Sequence, residues 1–213
     1  ERLSYPATEP AEGIRERWNW AEPTVWTDRM LTALEEGVKG GRWHCLWDKV
    51  LKAENARAAY AKVRVKRGSA GVDHVTVERF GADLEKNLAR LIGELREGQY
   101  VPRPVRRVEI PKPGSREKRP LGIPTVRDRV VQGMLKHVLE PIYERDFAEH
   151  SYGFRPGRGC KEALRQVQRL LQAGYEWVVD ADIRGYFDTI PHEALMKRMR
   201  TKVADGTVLG LVE

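Results

Sequence analysis

The stretch Trp177–His192, WVVDADIRGYFDTIPH, constrains this chain more than any other. Its first residues are apolar and β-prone, and two aspartates stand two positions apart among them. A strand alternates its faces, so Asp180 and Asp182 are expected on one side, with Trp177, Val179, Ala181 and Ile183 on the other. A carboxylate at the end of a buried strand is costly unless something positive binds it. A divalent metal would meet that need and would point to phosphoryl-transfer chemistry. A helix cap or a salt bridge would meet it too.

Composition narrows the partners. The chain of 213 residues carries 38 Lys+Arg against 31 Asp+Glu, a net charge of +7. Such a balance favours polyanions, nucleic acid first. The two cysteines, Cys45 and Cys160, lie far apart and form neither a disulfide framework nor a zinc-ligand spacing, which suits a reducing compartment such as the cytoplasm. No apolar run approaches the roughly 18 residues that would span a bilayer, so no membrane partner is expected. The sequence opens on Glu1 and closes on TVLGLVE, which suggests an N-terminal piece of something longer.

Along the chain, residues 1–26 mix prolines with Trp18, Trp20 and Trp26 and read as an irregular arm. The arm and first helices could bind RNA through basic and aromatic surfaces, or form a small helical core with buried tryptophans. Thr27 or Asp28 can cap a helix that Gly40-Gly41 ends. Trp43, Leu46, Trp47, Val50 and Leu51 repeat at helical spacing, and a helix over about 54–66 follows. After the loop RGSAGVD (67–73), Thr76 can cap a long helix with Phe80, Leu84, Leu88, Leu91 and Leu95 on one stripe, ended by Gly98. From Tyr100 prolines punctuate the chain. RRVEI and KRPLGI alternate like two short strands around a turn at 112–118. Residues 101–119 hold seven basic side chains against two acidic ones, a net +5 in a chain whose total is +7. That is either a solvated hairpin or an anion grip. TVRD (125–128) has a capping-box pattern, and Pro141 should kink or restart the helix it opens. HSYGFRPGRGCKEAL (150–164) is a Gly/Arg-rich loop entering a helix that Gly174 stops. A strand at 177–183 and a short helix after Pro191 complete the pattern.

Three strings in this order, RVEIPKPGSREKRPLGIPTVRDRVVQ (107–132), HSYGFRPGRGCKEAL (150–164) and WVVDADIRGYFDTIPH (177–192), closely resemble the first motif blocks of group II intron reverse transcriptases, the intron-encoded maturases. The RGSAGVD loop and the helix after it resemble that family's N-terminal extension. The resemblance covers roughly residues 40–200. It implies an α+β fold: right-hand polymerase fingers and a partial palm, a basic β-hairpin plus helices, behind a helical N-terminal extension. The segments expected are an irregular arm (1–26), a helical N-terminal extension (27–99), fingers (100–175) and the start of an incomplete palm (176–213).

The resemblance also implies roles. Asp182, with the backbone of Ile183 beside it, matches the ligand of two catalytic Mg2+ ions, and paired metals about 3.5–4 Å apart do need bridging carboxylates. Asp180 shares the face without being the family's ligand. Tyr186 matches the aromatic under the incoming sugar that excludes a 2′-hydroxyl, where phenylalanine is frequent; a core aromatic is the plain alternative. Lys112 and Arg119 match the residues that hold the triphosphate, a point charge and a bidentate fork, and Arg116 or Lys118 could share that role. Leu121–Pro124, with Ile123 and Pro124, resembles the template-supporting segment. Arg155 and Arg158 are the expected phosphate contacts, with Gly157 allowing close backbone approach. Ser69 and Gly71 belong to a loop that looks like the lid over the template.

The implied partners are group II intron RNA or another RNA template, a DNA primer or target, a dNTP, and the remaining palm and thumb of the same or a split protein. The family also needs a second aspartate pair in a YADD-like hairpin, and no Tyr-x-Asp-Asp string occurs in the 213 residues. Two readings follow. One is the N-terminal part of an RNA-directed DNA polymerase that also assists intron splicing and mobility, with this chain alone inactive. The other is a non-catalytic, truncated maturase-like RNA-binding module.

Overall fold

The computed structural model describes residues 10–213, apart from Lys112, Ser115 and Arg184. They form helices and one small antiparallel sheet, in two compact units. One unit comprises the residues up to Gly37 together with Cys45–Leu139; the other comprises Val38–His44 and Glu140–Glu213.

The first unit holds α1 (Ile14–Arg17), α2 (Asp28–Glu36), α3 (Trp47–Val50), α4 (Ala53–Val65), α5 (Val77–Ala82), α6 (Leu84–Arg96), β1 (Arg106–Pro111), β2 (Lys118–Ile123) and most of α7 (Val126–Glu144). Thr27 caps α2 as the sequence suggests, its hydroxyl accepting from the Met30 N–H at 3.4 Å. The helix stops early, at Gly37 with φ 95°. The arm contributes to the core: Trp18 is buried, and Trp26 is fully so. The stripe expected on one long helix is shared by two. Asp83 (φ −118°, ψ 46°) breaks the helix, and Asn87 Nδ2 donates to the Phe80 carbonyl at 2.9 Å, a group that the break leaves without an intrahelical partner. Phe80, Leu88, Leu91 and Leu95 remain buried on either side of the break. The helical repeat expected over 43–51 shrinks to the single turn of α3, because Trp43 is extended and forms a bridge with Val203.

Helix α7 runs on through Pro141 instead of restarting. Proline has no N–H, so the His137 carbonyl loses its usual partner four residues on. Trp26 Nε1 donates to that carbonyl at 2.9 Å. Asn55 fastens the same helix to α3: its Nδ2 donates to the carbonyls of Lys49, Val50 and Met134, each at 3.2 Å. Gly133 lets α7 approach α4, since a Cβ there would stand 3.0 Å from that of Ala59.

The second unit holds α8 (Cys160–Gln172), α9 (His192–Arg200) and α10 (Gly206–Val212), and its buried apolar residues are Ile142, Trp43, Met196, Met199, Val203, Val208 and Leu209. The Tyr143 hydroxyl donates to the Met199 carbonyl at 2.9 Å, and Lys202 pairs with Asp146 at 3.0 Å. No side chain of α8 is buried.

The strand expected at 177–183 does not form. Trp177 and Val179 are 96% and 92% exposed. A strand needs a neighbour for its N–H and C=O groups, and among the described residues the only sheet is β1–β2. The shared face inferred for Asp180 and Asp182 therefore has no sheet to define it here.

Candidate nucleic-acid interface

The basic hairpin is where the sequence placed it. β1 and β2 pair antiparallel from Arg106↔Ile123 to Pro111↔Lys118. Residues opposite one another share a face, so Arg119 stands with Ile110 and Lys118 with Pro111 on the other side. Arg107, Arg116, Lys118 and Arg119 are all exposed. Arg107 leans on Glu109 at 3.1 Å. Lys112 lies outside the described residues.

The loop after α4 and the end of the hairpin meet. A Cβ at Gly71 would stand 2.6 Å from the Thr125 Cα and 3.0 Å from the Pro124 carbonyl carbon, so only glycine permits this approach. Arg129 donates to the Ser69 carbonyl at 2.7 Å. Ser69, Gly71 and Pro124, singled out separately in the sequence, thus fall at one place, next to half-buried Ile123.

Below the hairpin lies a group that the sequence did not flag as a site. Asp128 is buried and accepts from the Tyr100 hydroxyl, the Arg103 N–H and the Thr125 hydroxyl. Burial first, then Asp128, pushes the Tyr100 phenol far above its ordinary pKa. The capping box TVRD was the visible signal; the upstream partners were not. A cleft of about 370 Å³ opens nearby, and two of its four arginines are matched by acids: Arg127 pairs with Glu94 at 2.7 Å and Arg103 with Asp73 at 3.8 Å.

In the second unit, Arg155 is occupied by its own loop and the end of α7. It pairs with Glu144 at 2.8 Å, donates to the carbonyls of Ala148 at 2.8 Å and Ser151 at 3.0 Å, and lies over the Phe147 ring. Its side chain is 7% exposed. Arg158 donates to the Glu149 carbonyl and lies 5.9 Å from the Tyr152 ring. Gly157 takes φ 66° and Phe154 φ 57°, an uncommon value for a bulky residue, here one that is 96% exposed.

Asp182 and Ile183 lie in the extended, exposed stretch. Gly185 (φ 62°) then turns the chain into a short 3-10 turn, Tyr186–Thr189. There Tyr186 and Phe187 pack edge to face at 5.3 Å, both exposed, and Thr189 bonds back to the Gly185 carbonyl at 3.0 Å. Among the described residues no three His, Cys, Asp or Glu side chains come together. Asp182 alone therefore does not fit a pair of magnesium ions. The hairpin and Asp182 belong to different compact units.

Residues 110–208 match the family of reverse transcriptases (RNA-dependent DNA polymerases), and the chain belongs to it. Its lineage within that family is that of the group II intron-encoded proteins and maturases. It is 43% identical to Protein YkfC of Escherichia coli (strain K12) over 146 residues, 67% of this chain and 38% of that protein. It is 36% identical to the group II intron-encoded protein LtrA of Lactococcus lactis subsp. cremoris over 169 residues, 78% of this chain and 28% of that protein. Nuclear intron maturase 1, mitochondrial, of Arabidopsis thaliana is 37% identical over 90 residues, 42% of this chain and 12% of that protein. The chain thus spans well under half the length of these relatives.

Proposed function

We propose that this chain is the nucleotide- and RNA-handling part of an RNA-directed DNA polymerase that also binds intron RNA to assist splicing and mobility. The observation that carries the reading is the exposed basic hairpin with the loop 67–73 packed at its exit. The reaction is attack of a primer 3′-hydroxyl on the α-phosphate of a dNTP, templated by RNA, with pyrophosphate leaving. Arg119 and Lys112 hold the triphosphate, and with no nucleotide bound the exposed hairpin cations, Arg119 among them, meet RNA phosphates. Ser69, Gly71, Ile123 and Pro124 support the template, and Arg158 and Gly157 contact its backbone. Arg155 shapes the loop that presents them. Tyr186 excludes a 2′-hydroxyl. In this reading the hairpin and its helices are polymerase fingers, and residues 176–213 begin the palm.

Reverse transcriptases generally use divalent metals. Asp182, with the Ile183 carbonyl, offers one ligand position, and further carboxylates must join it before a metal site exists. This chain alone is accordingly inactive in polymerisation. A second reading, an RNA-binding module without chemistry, is favoured by the absence, among the described residues, of any group of three His, Cys, Asp or Glu side chains that could hold a metal.

Asp182→Ala in the full-length encoded protein separates the two. The first reading expects RNA-templated primer extension to fall by about a hundredfold or more, with RNA affinity unchanged. Unchanged extension by the variant would remove Asp182 from the active site. Absence of extension by the wild type would favour the binding module.

A further inference from the structure

We propose that Asp128 is the positioning residue of the basic hairpin. Its carboxylate ties the chain entering β1 to the chain leaving β2 and so sets where the hairpin cations stand. The proposal rests on reading the hairpin as a phosphate grip.

Asp128 is 3% exposed. One carboxylate oxygen accepts from the Tyr100 hydroxyl at 2.7 Å. The other accepts from the Arg103 N–H at 3.2 Å and from the Thr125 hydroxyl at 2.6 Å. The Asp128 N–H donates in turn to Thr125 Oγ1 at 3.2 Å. Tyr100 and Arg103 lie just before β1, and Thr125 just after β2. Starting α7 needs only the cap bond from the Asp128 N–H to Thr125 Oγ1; the two upstream bonds exceed what that requires. Arg103 stands between Pro102 and Pro104, so its N–H is the one backbone donor of that tripeptide, and it is spent on Asp128. The Arg127 guanidinium lies over the Tyr100 ring, 4.8 Å from its centroid, and pairs with Glu94 at 2.7 Å.

The hairpin needs such an anchor. Two strands alone are marginal in water, and β2 is exposed along all its residues except half-buried Ile123. Where its cations point is therefore decided at its base, and Asp128 is the group that joins the two ends there.

The test uses this chain with a 20-nucleotide oligouridylate, comparing wild type, Asp128→Asn, Arg119→Ala and the double variant, alongside amide exchange. Asparagine keeps the shape but sets an NH2 against donors. Asp128→Asn is expected to speed exchange of the amides in 106–110 and 118–123 by about tenfold, to leave α4 and α6 unchanged, and to weaken binding by about tenfold. The double variant should lose less than the product of the single losses, because both act through the same cations. Tyr100→Phe, which removes one tether only, should show the same pattern more weakly and serves if Asp128→Asn does not fold. Unchanged hairpin exchange, equal loosening of α4 and α6, or fully multiplicative losses would overturn the proposal. If Arg119→Ala binds oligouridylate like wild type, the grip reading fails, while the exchange pattern still decides whether Asp128 anchors the hairpin.

Discussion

His137 shows how one proline is accommodated by residues far from it in sequence. Pro141 strips the His137 carbonyl of its helical partner, and the Trp26 indole, 111 positions away, replaces it. The His137 ring faces Asn55 Oδ1 at 2.8 Å. Because Asn55 Nδ2 is committed to three carbonyls, its oxygen must be the acceptor, so Nδ1 carries the proton. Burial, reinforced by Lys62, lowers the His137 pKa to about 4. The unfolded chain, with an ordinary histidine near 6.5, takes up the proton first. The stability this group contributes is therefore present above about pH 6.5 and lost as pH falls toward 4. Denaturant unfolding followed by tryptophan fluorescence should show wild type losing more stability between pH 7 and 4.5 than His137→Gln; equal losses would contradict it. Single-residue chemistry of short range was legible beforehand, as in the Thr27 cap and the Thr125–Asp128 box, since both partners lie within one helical turn. Trp26–His137 and Tyr100–Asp128 were not, because nothing local marks a partner brought in by the fold.

Elements divide by where their hydrogen bonds go. Helices and the hairpin satisfy their backbones within a short span, and α4, β1 and β2 stand within a residue or so of where pattern alone put them. The stretch 177–183 has the composition of a strand but needs an edge supplied from elsewhere, so its sequence forecasts an affinity and not a conformation. Helix α8 makes a similar point. Leu164, Val167 and Leu171 recur along one face and are 67%, 49% and 56% exposed. Since nothing among the described residues buries that face, the double substitution Leu164→Glu and Leu171→Glu should shift stability by no more than about 0.5 kcal/mol and raise solubility. A clear fall in thermal midpoint would mean the face is packed in solution.

At the scale of the molecule, the chain concentrates its charge in the first unit and its aspartate motif in the second. The family was legible from three strings spread over both units, because those strings carry chemistry rather than packing. The site as an assembly was only partly legible: loop 67–73 and the hairpin exit meet, whereas among the described residues no group of three potential metal ligands forms around Asp182. The central claim, that the hairpin grips phosphates, is tested most directly by the salt dependence of RNA binding by this chain. Each phosphate neutralised on a single strand contributes about −0.7 to the slope of log Kobs against log salt. With Arg107, Arg116, Lys118 and Arg119 engaged, the expected slope for single-stranded RNA is about −3, reduced by about 0.7 in Arg119→Ala. A slope near zero, or one that Arg119→Ala leaves unchanged, would contradict it.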